Sequence, residues 1–445
     1  VLPTAGTGPA FPEPLLVLVS GPDQPGIAAD LFDALDICHS RILDVEQVHI
    51  LGQLLLAVVI AGPDAQRVTT AVLPVAKTWG VAIDVSATTP PAGTPPTSRQ
   101  LVTVMAPELG ARALRQLFEA IGSSAGNVER IVQLATTPVQ SYELLVAGAQ
   151  PDLLRRKVAA AAAGMGVDAA VQRAGLHRRA RHLIVLDVDS TLIRGEVVDL
   201  LAERAGCAQA VAAITASAMA GALDFEAALR QRVALLRGLP ASVLDDVRRS
   251  LQLTPGARTL VRTLQRLGYD TAVVSGGFLQ VIEPMAAELG IGRVAANTLA
   301  VADGVLTGEL IGPVIDRPGK AAAMRRFAAE AGVPLARTVA VGDGANDVDM
   351  LAQAGLGIAF NAKPVVRDVA DTTVNVPYLD TILFLLGVPR SEIEAADTDS
   401  SDNDTGGASD STSDSDSTTD KVDDRSRPDG QNRVGIAGSK PRSRS

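Results

Sequence analysis

Apolar residues fall along this chain in two rhythms, and the change from one to the other divides it. From Leu15 the run LLVLVS reads as a strand and DQPGIAADLFDAL as a helix opened by Pro and Gly. RILDVEQVHI and QLLLAVVIA then read as a hairpin broken at Gly52. A helix over about 64–79 and the strand VAIDVS complete a β-α-β-β-α-β order. The same order returns after the linker ATTPPAGTPPTSR (87–99). It runs through QLVTVMA, a helix over 110–121, NVERIVQLAT, QSYELLVAG, an Ala-rich helix over 151–163 and a strand near 167–172. A repeat of this length predicts two similar small ferredoxin-like domains, 15–87 and 100–173, rather than a solenoid.

Past the basic joint HRRARH the rhythm changes. Short apolar runs (HLIVLD, YDTAVVS, RVAANT, RTVAVGD, LGIAF, TTVNV) are separated by amphipathic helices, which predicts a doubly wound parallel α/β sheet over 181–388. Residues 196–252 contain no strand-like run and read as four helices, a cap inserted directly after the first strand. Residues 1–14 read as a small-residue and proline leader. From 395 to 445 the chain is Ser, Asp, Thr, Gly and Arg with almost nothing apolar, the composition of a disordered tail.

Composition narrows the partners. At 445 residues two to four domains are expected, and with 47% apolar but only 3% aromatic residues their cores must be built from Ala, Val and Leu. The net charge of −10 argues against nucleic acid or an acidic membrane surface as a partner. Part of it is local, since residues 395–424 carry ten acids against one base. Cys38 and Cys207 lie far apart without C-x-x-C spacing, which points to a reducing compartment. The longest apolar stretch, LLLAVVIAG, falls far short of the roughly 20 residues of a membrane helix. A soluble, cytoplasmic protein is the expectation.

All four histidines precede the second half, so nucleophiles activated by histidine are not available there, and no Walker A motif is present. Carboxylates remain. LIVLD delivers Asp187 to the carboxyl end of a buried strand, with Asp189, Ser190 and Thr191 just after it. One carboxylate there can attack phosphorus while its neighbour protonates the leaving group and later deprotonates water. By itself D-x-D-x-[ST] would pass for an Asx-rich turn. A second strand, TVAV, ends in Gly342-Asp343-Gly344-Ala345-Asn346-Asp347, hard oxygen donors suited to Mg²⁺, with Asp347 also placed to cap a helix. A third, TAVV, ends in Ser275-Gly276-Gly277, a hydroxyl and backbone N–H groups suited to phosphate oxygens. Lys320 opens a helix after Pro318-Gly319 and can neutralise charge between a carboxylate and a phosphate.

DVDST, SGG, Lys320 and GDGAND, in that order, resemble the haloacid dehalogenase superfamily across about 181–388. The resemblance implies Asp187 as nucleophile, Asp189 as general acid/base, Lys320 in the catalytic group, and Mg²⁺ on Asp187, Asp343 and the backbone of Asp189. Glu196 at the cap entrance and Arg232 on a cap helix suit the ammonium and carboxylate of an amino acid. Their spacing, with VVSGGF and DGANDVDML, resembles phosphoserine phosphatases in particular. That implies Met219 and Phe225 lining the pocket, Ser275 and Gly276 on phosphate, and Asn346 on substrate. The reaction implied is phosphoserine to serine and phosphate, the last step of serine synthesis. A phosphatase of another small ester or of phosphoprotein stays open, as does an amino-acid sensor with a vestigial phosphatase half.

The N-terminal pair resembles ACT domains, which bind amino acids. SGPDQPGIAADL places Asp23 and Gly26 at the loop where ligands usually sit, whereas in VMAPELGARAL only Gly110 corresponds. An amino-acid effector and a homodimer formed through these domains are the partners this implies.

Overall fold

Alternation of buried and exposed residues builds the first two sheets. In the computed structural model, which describes residues 14–89, 99–175, 182–219 and 222–396, β1 (Leu15–Pro22), β2 (Arg41–Ile50), β3 (Gln53–Ala61) and β4 (Ala82–Ala87) form an antiparallel sheet ordered β2-β3-β1-β4. Val17, Val19, Leu54, Leu56 and Val58 pack against helices Ile27–Ile37 and Ala65–Trp79. β5 (Arg99–Ala106), β6 (Asn127–Ala135), β7 (Gln140–Ala147) and β8 (Asp168–Arg173) repeat the arrangement in the order β6-β7-β5-β8, with helices Ala111–Gly122 and Pro151–Ala163. The leader up to residue 13, linker residues 90–98, joint residues 176–181 and the tail from 397 lie outside the described residues.

The third sheet contains β9 (Leu183–Asp187), β10 (Asp270–Phe278), β11 (Arg293–Ala302), β12 (Val305–Ile311), β13 (Thr338–Gly342), β14 (Leu356–Phe360) and β15 (Thr372–Val374). Their order is β12-β11-β10-β9-β13-β14-β15. Every residue of β9, β13 and β14 is buried, as expected for strands covered on both faces. Ile184 and Leu186 enter one core and Leu183 and Val185 the other. The chain leaves β9 toward β10 on one side and returns to β13 on the other. The switch in direction opens a crevice at the carboxyl ends of the central strands, where Asp187 stands.

One strand departs from the wholly parallel sheet expected. β12 runs antiparallel to β11 after a turn at Asp303 and Gly304, whose φ values of 50° and 75° are those of a tight hairpin. Its run VLTGELI is broken by Gly308 and half exposed, so its apolar signal is weak. A Cβ at Gly308 would come within 3.0 Å of Arg237, and a backbone bridge joins Pro240 to Val305. The weak strand is thus the shelf on which the cap rests. The cap itself comprises helices Val197–Arg204, Ala208–Met219, Phe225–Ala234 and Val243–Ser250.

The second small sheet is joined to the large one. Met105, Leu134, Ala135, Val139 and Ala170 belong to the same core cluster as Leu186 and Phe384. Buried Asp168 accepts from the backbone N and side-chain Nδ2 of Asn375 at 2.7 and 2.6 Å, and Gln172 donates to the Leu385 carbonyl at 2.8 Å.

Candidate active site

Ladder register brings the three motif-bearing strands level. Asp187 pairs with Val274 on β10, and Leu186 with Val341 on β13, so Ser275 and Asp343 arrive beside Asp187. The chain then turns sharply through Ser190, whose φ of 59° is rare for a residue with a Cβ. That turn returns Asp189 to the crevice. Asp189 Oδ1 accepts from Val197 N at 2.8 Å and Oδ2 from the Ser275 hydroxyl at 2.7 Å, which fixes the carboxylate. Ser275 Oγ also accepts from Gly277 N at 2.7 Å. A side chain at 277 would meet Asp189 Oδ2 at 3.0 Å, so glycine is required there by close approach.

Lys320 is fully buried beneath the crevice. Its Nζ donates to Asp187 Oδ1 at 2.6 Å and to Asp347 Oδ1 at 2.7 Å. Asp347 Oδ2 accepts from Gly344 N at 2.9 Å. Burial disfavours the Lys320 ammonium, but the two carboxylates more than offset that and raise its pKa. Burial raises Asp187 well above the usual carboxylate range, with the Asp347 charge adding to it and Lys320 opposing. Burial, then the Asp347 charge, push Asp343 up to about 6, while Lys320, Lys363 and the Thr191 hydroxyl, 3.3 Å from Oδ1, act against the shift.

Carboxylate oxygens of Asp187, Asp343 and Asp347 lie within 4.8 Å of one another, so three acids crowd together beside one buried ammonium, which bonds Asp187 and Asp347. The surplus of negative charge and the all-oxygen donor set fit a hard divalent cation. The Asp189 carboxylate is turned to Val197 and Ser275, which leaves its main-chain carbonyl as the oxygen it could add.

Above this floor lies a cavity of about 440 Å³. Asp187, Asp189, Gly276, Asp343 and Asn346 line it from the sheet side, and Glu196, Phe225 and Arg232 from the cap. Helix Phe225–Ala234, capped by Asp224 through a 2.7 Å bond from Ala227 N, carries both Phe225 and Arg232. A Cβ at Gly276 would lie 3.1 Å from the Phe225 ring, so cap and phosphate loop touch. Arg232 is 8% exposed, its Nη1 is 3.9 Å from Glu196 Oε2, and its buried Nε has no hydrogen-bond partner among the described residues. Glu196 is raised by burial and by the charges of Asp189 and Asp199, with Arg232 opposing.

Ser275 and Lys320 are absent from the cavity wall: both lie fully buried beneath it, orienting the two aspartates. Met219 ends its helix, and its side chain lies outside what the structure describes. The sequence offers Asp347 as an oxygen donor and helix cap but not as a partner of Lys320, and it does not mark Lys363. The spacing Asp343-x-x-x-Asp347 was the available signal for the first, and nothing local distinguishes the second. Asp23 and Gly26 lie in the loop between β1 and helix Ile27–Ile37, and Gly110 lies in the matching loop between β5 and helix Ala111–Gly122. Asp23 Oδ2 is 3.5 Å from His49 Nε2, a Cβ at Gly26 would meet the Trp79 ring at 2.9 Å, and Gly110 faces open space.

The model for the haloacid dehalogenase-like hydrolases matches residues 184–352, and models for the ACT domain match 13–86 and 98–172. A phosphoserine phosphatase from Streptomyces coelicolor is 50% identical over 391 residues, 86% of this chain and 94% of that protein. A phosphoserine phosphatase from Mycobacterium tuberculosis is 48% identical over 391 residues, 86% and 95% of the two chains. Among solved structures, a probable phosphoserine phosphatase from Vibrio cholerae has a TM-score of 0.52 at 29% identity, covering 67% of this chain and 88% of that one. Identity near one half, sustained across both small sheets and the large one, shows that the chain belongs to the phosphoserine phosphatase family, with a haloacid dehalogenase-like hydrolase fold preceded by two ACT domains.

Proposed function

We propose that this enzyme hydrolyses O-phospho-L-serine to L-serine and phosphate through a phosphoaspartate on Asp187. The observation that carries the substrate is Arg232: a buried guanidinium whose Nε is unpaired among the described residues, beside Glu196 in the cap wall of the cavity that ends on Asp187. Leaving such a donor unpaired is costly, and a substrate carboxylate would complete it while Glu196 receives the ammonium. Lys320 holds Asp187 Oδ1, so Oδ2 is the oxygen left to attack phosphorus. The bond from phosphorus to the seryl oxygen breaks, and Asp189 gives that oxygen its proton. Asp189 then takes a proton from water as the water attacks phosphorus, releasing phosphate and restoring Asp187. Bound to Asp187, Asp343 and the Asp189 carbonyl, Mg²⁺ would supply charge stabilisation for the phosphoryl oxygens. Gly276, Gly277 and Asn346 line the position those oxygens take.

Relative turnover of phosphoserine, phosphothreonine, phosphoethanolamine and an aryl phosphate tests the reading. Preference for a phosphoester without a carboxylate would sink it. At the ACT domains we propose an amino-acid effector, with serine as the candidate, beside Asp23 and His49, and a homodimer that covers the exposed Val48, Ile50 and Leu55 on the outer face of the first sheet. Light scattering and calorimetry with serine test these two points; a monomer that binds no serine would refute both.

A further inference from the structure

The cavity that must admit a phosphate dianion is lined by four acids, Asp187, Asp189, Glu196 and Asp343. Of the nearby cations, Lys320 is fully buried and its charge is already shared by Asp187 and Asp347 beneath the cavity. Arg232 is buried in the cap wall against Glu196. Lys363 differs from both. It lines the same cavity, its side chain is exposed, and its ammonium has no hydrogen bond or ion pair among the described residues.

Its backbone, in contrast, is pinned. Lys363 N donates to the Asp343 carbonyl at 3.2 Å, and the residue caps helix Pro364–Arg367. Two residues earlier Asn361, at a φ of 45°, donates from N to the Val374 carbonyl at 2.7 Å, and Arg367 Nε holds the Ala362 carbonyl at 2.7 Å. A rigid base with a free ammonium places one mobile positive charge at the rim. Asp343 on the floor and Glu196 at the cap entrance line the same cavity, so the charge stands between sheet and cap.

We infer that Lys363 is the phosphate-capture residue of this site: it meets the phosphate of the incoming ester, offsets the repulsion of the acidic lining, and holds phosphate at the rim again as product leaves. This deepens the function proposed above and rests on it. Because the contact is to phosphate, it serves any phosphoester that enters, whereas Arg232 serves only those with a carboxylate. Capture acts on association, so its effect belongs in kcat/KM and is weakened by salt.

The test uses the full chain with Mg²⁺, phosphoserine and an aryl phosphate as substrates, and inorganic phosphate as inhibitor. Lys363→Ala is expected to lower kcat/KM about tenfold on both substrates, with kcat changed less than about twofold, and to weaken phosphate inhibition by a similar factor. The fall of kcat/KM between about 0.02 and 0.5 M salt should flatten in this variant, and Lys363→Arg should restore both the rate and the salt slope. Unchanged kcat/KM and phosphate inhibition would overturn the inference. So would a loss confined to kcat, a loss confined to phosphoserine, or an undiminished salt slope. Should the wild type prefer an aryl phosphate over phosphoserine, the proposed substrate fails, while the aryl phosphate and inorganic phosphate arms still decide the role of Lys363.

Discussion

The two walls of the active cavity are built to different standards. On the sheet side Asp187, Asp189, Lys320 and Asp347 are held before any substrate arrives. Lys320 bridges Asp187 and Asp347, Gly344 N holds Asp347, and Val197 N with the Ser275 hydroxyl holds Asp189. On the cap side Arg232 has one long contact to Glu196 and an unpaired Nε. The sheet wall is thus preorganised, whereas the cap wall keeps an unmet donor; on the function proposed above, substrate would complete the cap while the aspartates keep the geometry they already have.

The sharpest way to break this contrast is at Asp187. Asp187→Asn keeps size and the Lys320 contact but removes the nucleophile, so turnover should fall at least about a thousandfold and no phosphate should be trapped on acid quench. Near wild-type melting with no activity supports the preorganised wall; residual turnover above about a hundredth would refute the phosphoaspartate. Lys320→Met comes next, because it strands two buried carboxylates. It should cost about 3–5 kcal/mol of stability as well as activity, measured by denaturant unfolding and initial rates. A variant as stable as wild type would show that the aspartates are not held by the lysine.

Arg232→Ala tests the opposite wall. It should lower kcat/KM for phosphoserine at least about tenfold more than for phosphoethanolamine. Equal losses on both substrates would make Arg232 a support of the cap. The smallest effect expected concerns pH. Asp343 is raised to about 6, so its ionised form is disfavoured by folding. The associated destabilisation is present above pH 6 and relieved as pH falls through that value. Protons then compete with the cation, and the Mg²⁺ concentration for half activity should rise about fourfold between pH 7 and 5.5. A Mg²⁺ requirement flat over that range would remove Asp343 from the metal set.

How much of this was legible before the structure depends on the distance over which each feature is written. Asp187, Asp343 and Ser275 each follow a run of buried apolar residues, so placing them at strand ends needs only local pattern. The apolar pattern does not mark β12, because Thr307, Gly308 and Glu309 interrupt it and three of its seven residues are exposed. The two ACT domains share a pattern and a strand order, yet their surroundings differ. The second buries Asp168 and Ala170 against β15 and the helices beyond it, while residues 41–50 of the first are exposed throughout. Nothing in the repeat distinguishes them, since what covers a strand is decided by residues some two hundred positions away.

The sequence by itself determined every strand of the large sheet but β12, the repeat, and the carboxylates at the strand ends, because strand and helix periods, turn residues and motif spacing act over a few residues. Only the tertiary structure decided that Ser275 and Lys320 lie beneath the cavity rather than in its wall, that Asp347 shares the lysine, and that Trp79 fills the space beside Gly26. It alone set Lys363 at the rim with its charge free. Those outcomes depend on which buried charge finds which partner once the chain is packed. In a low-dielectric interior that choice follows distances of a few ångströms, which no linear spacing records.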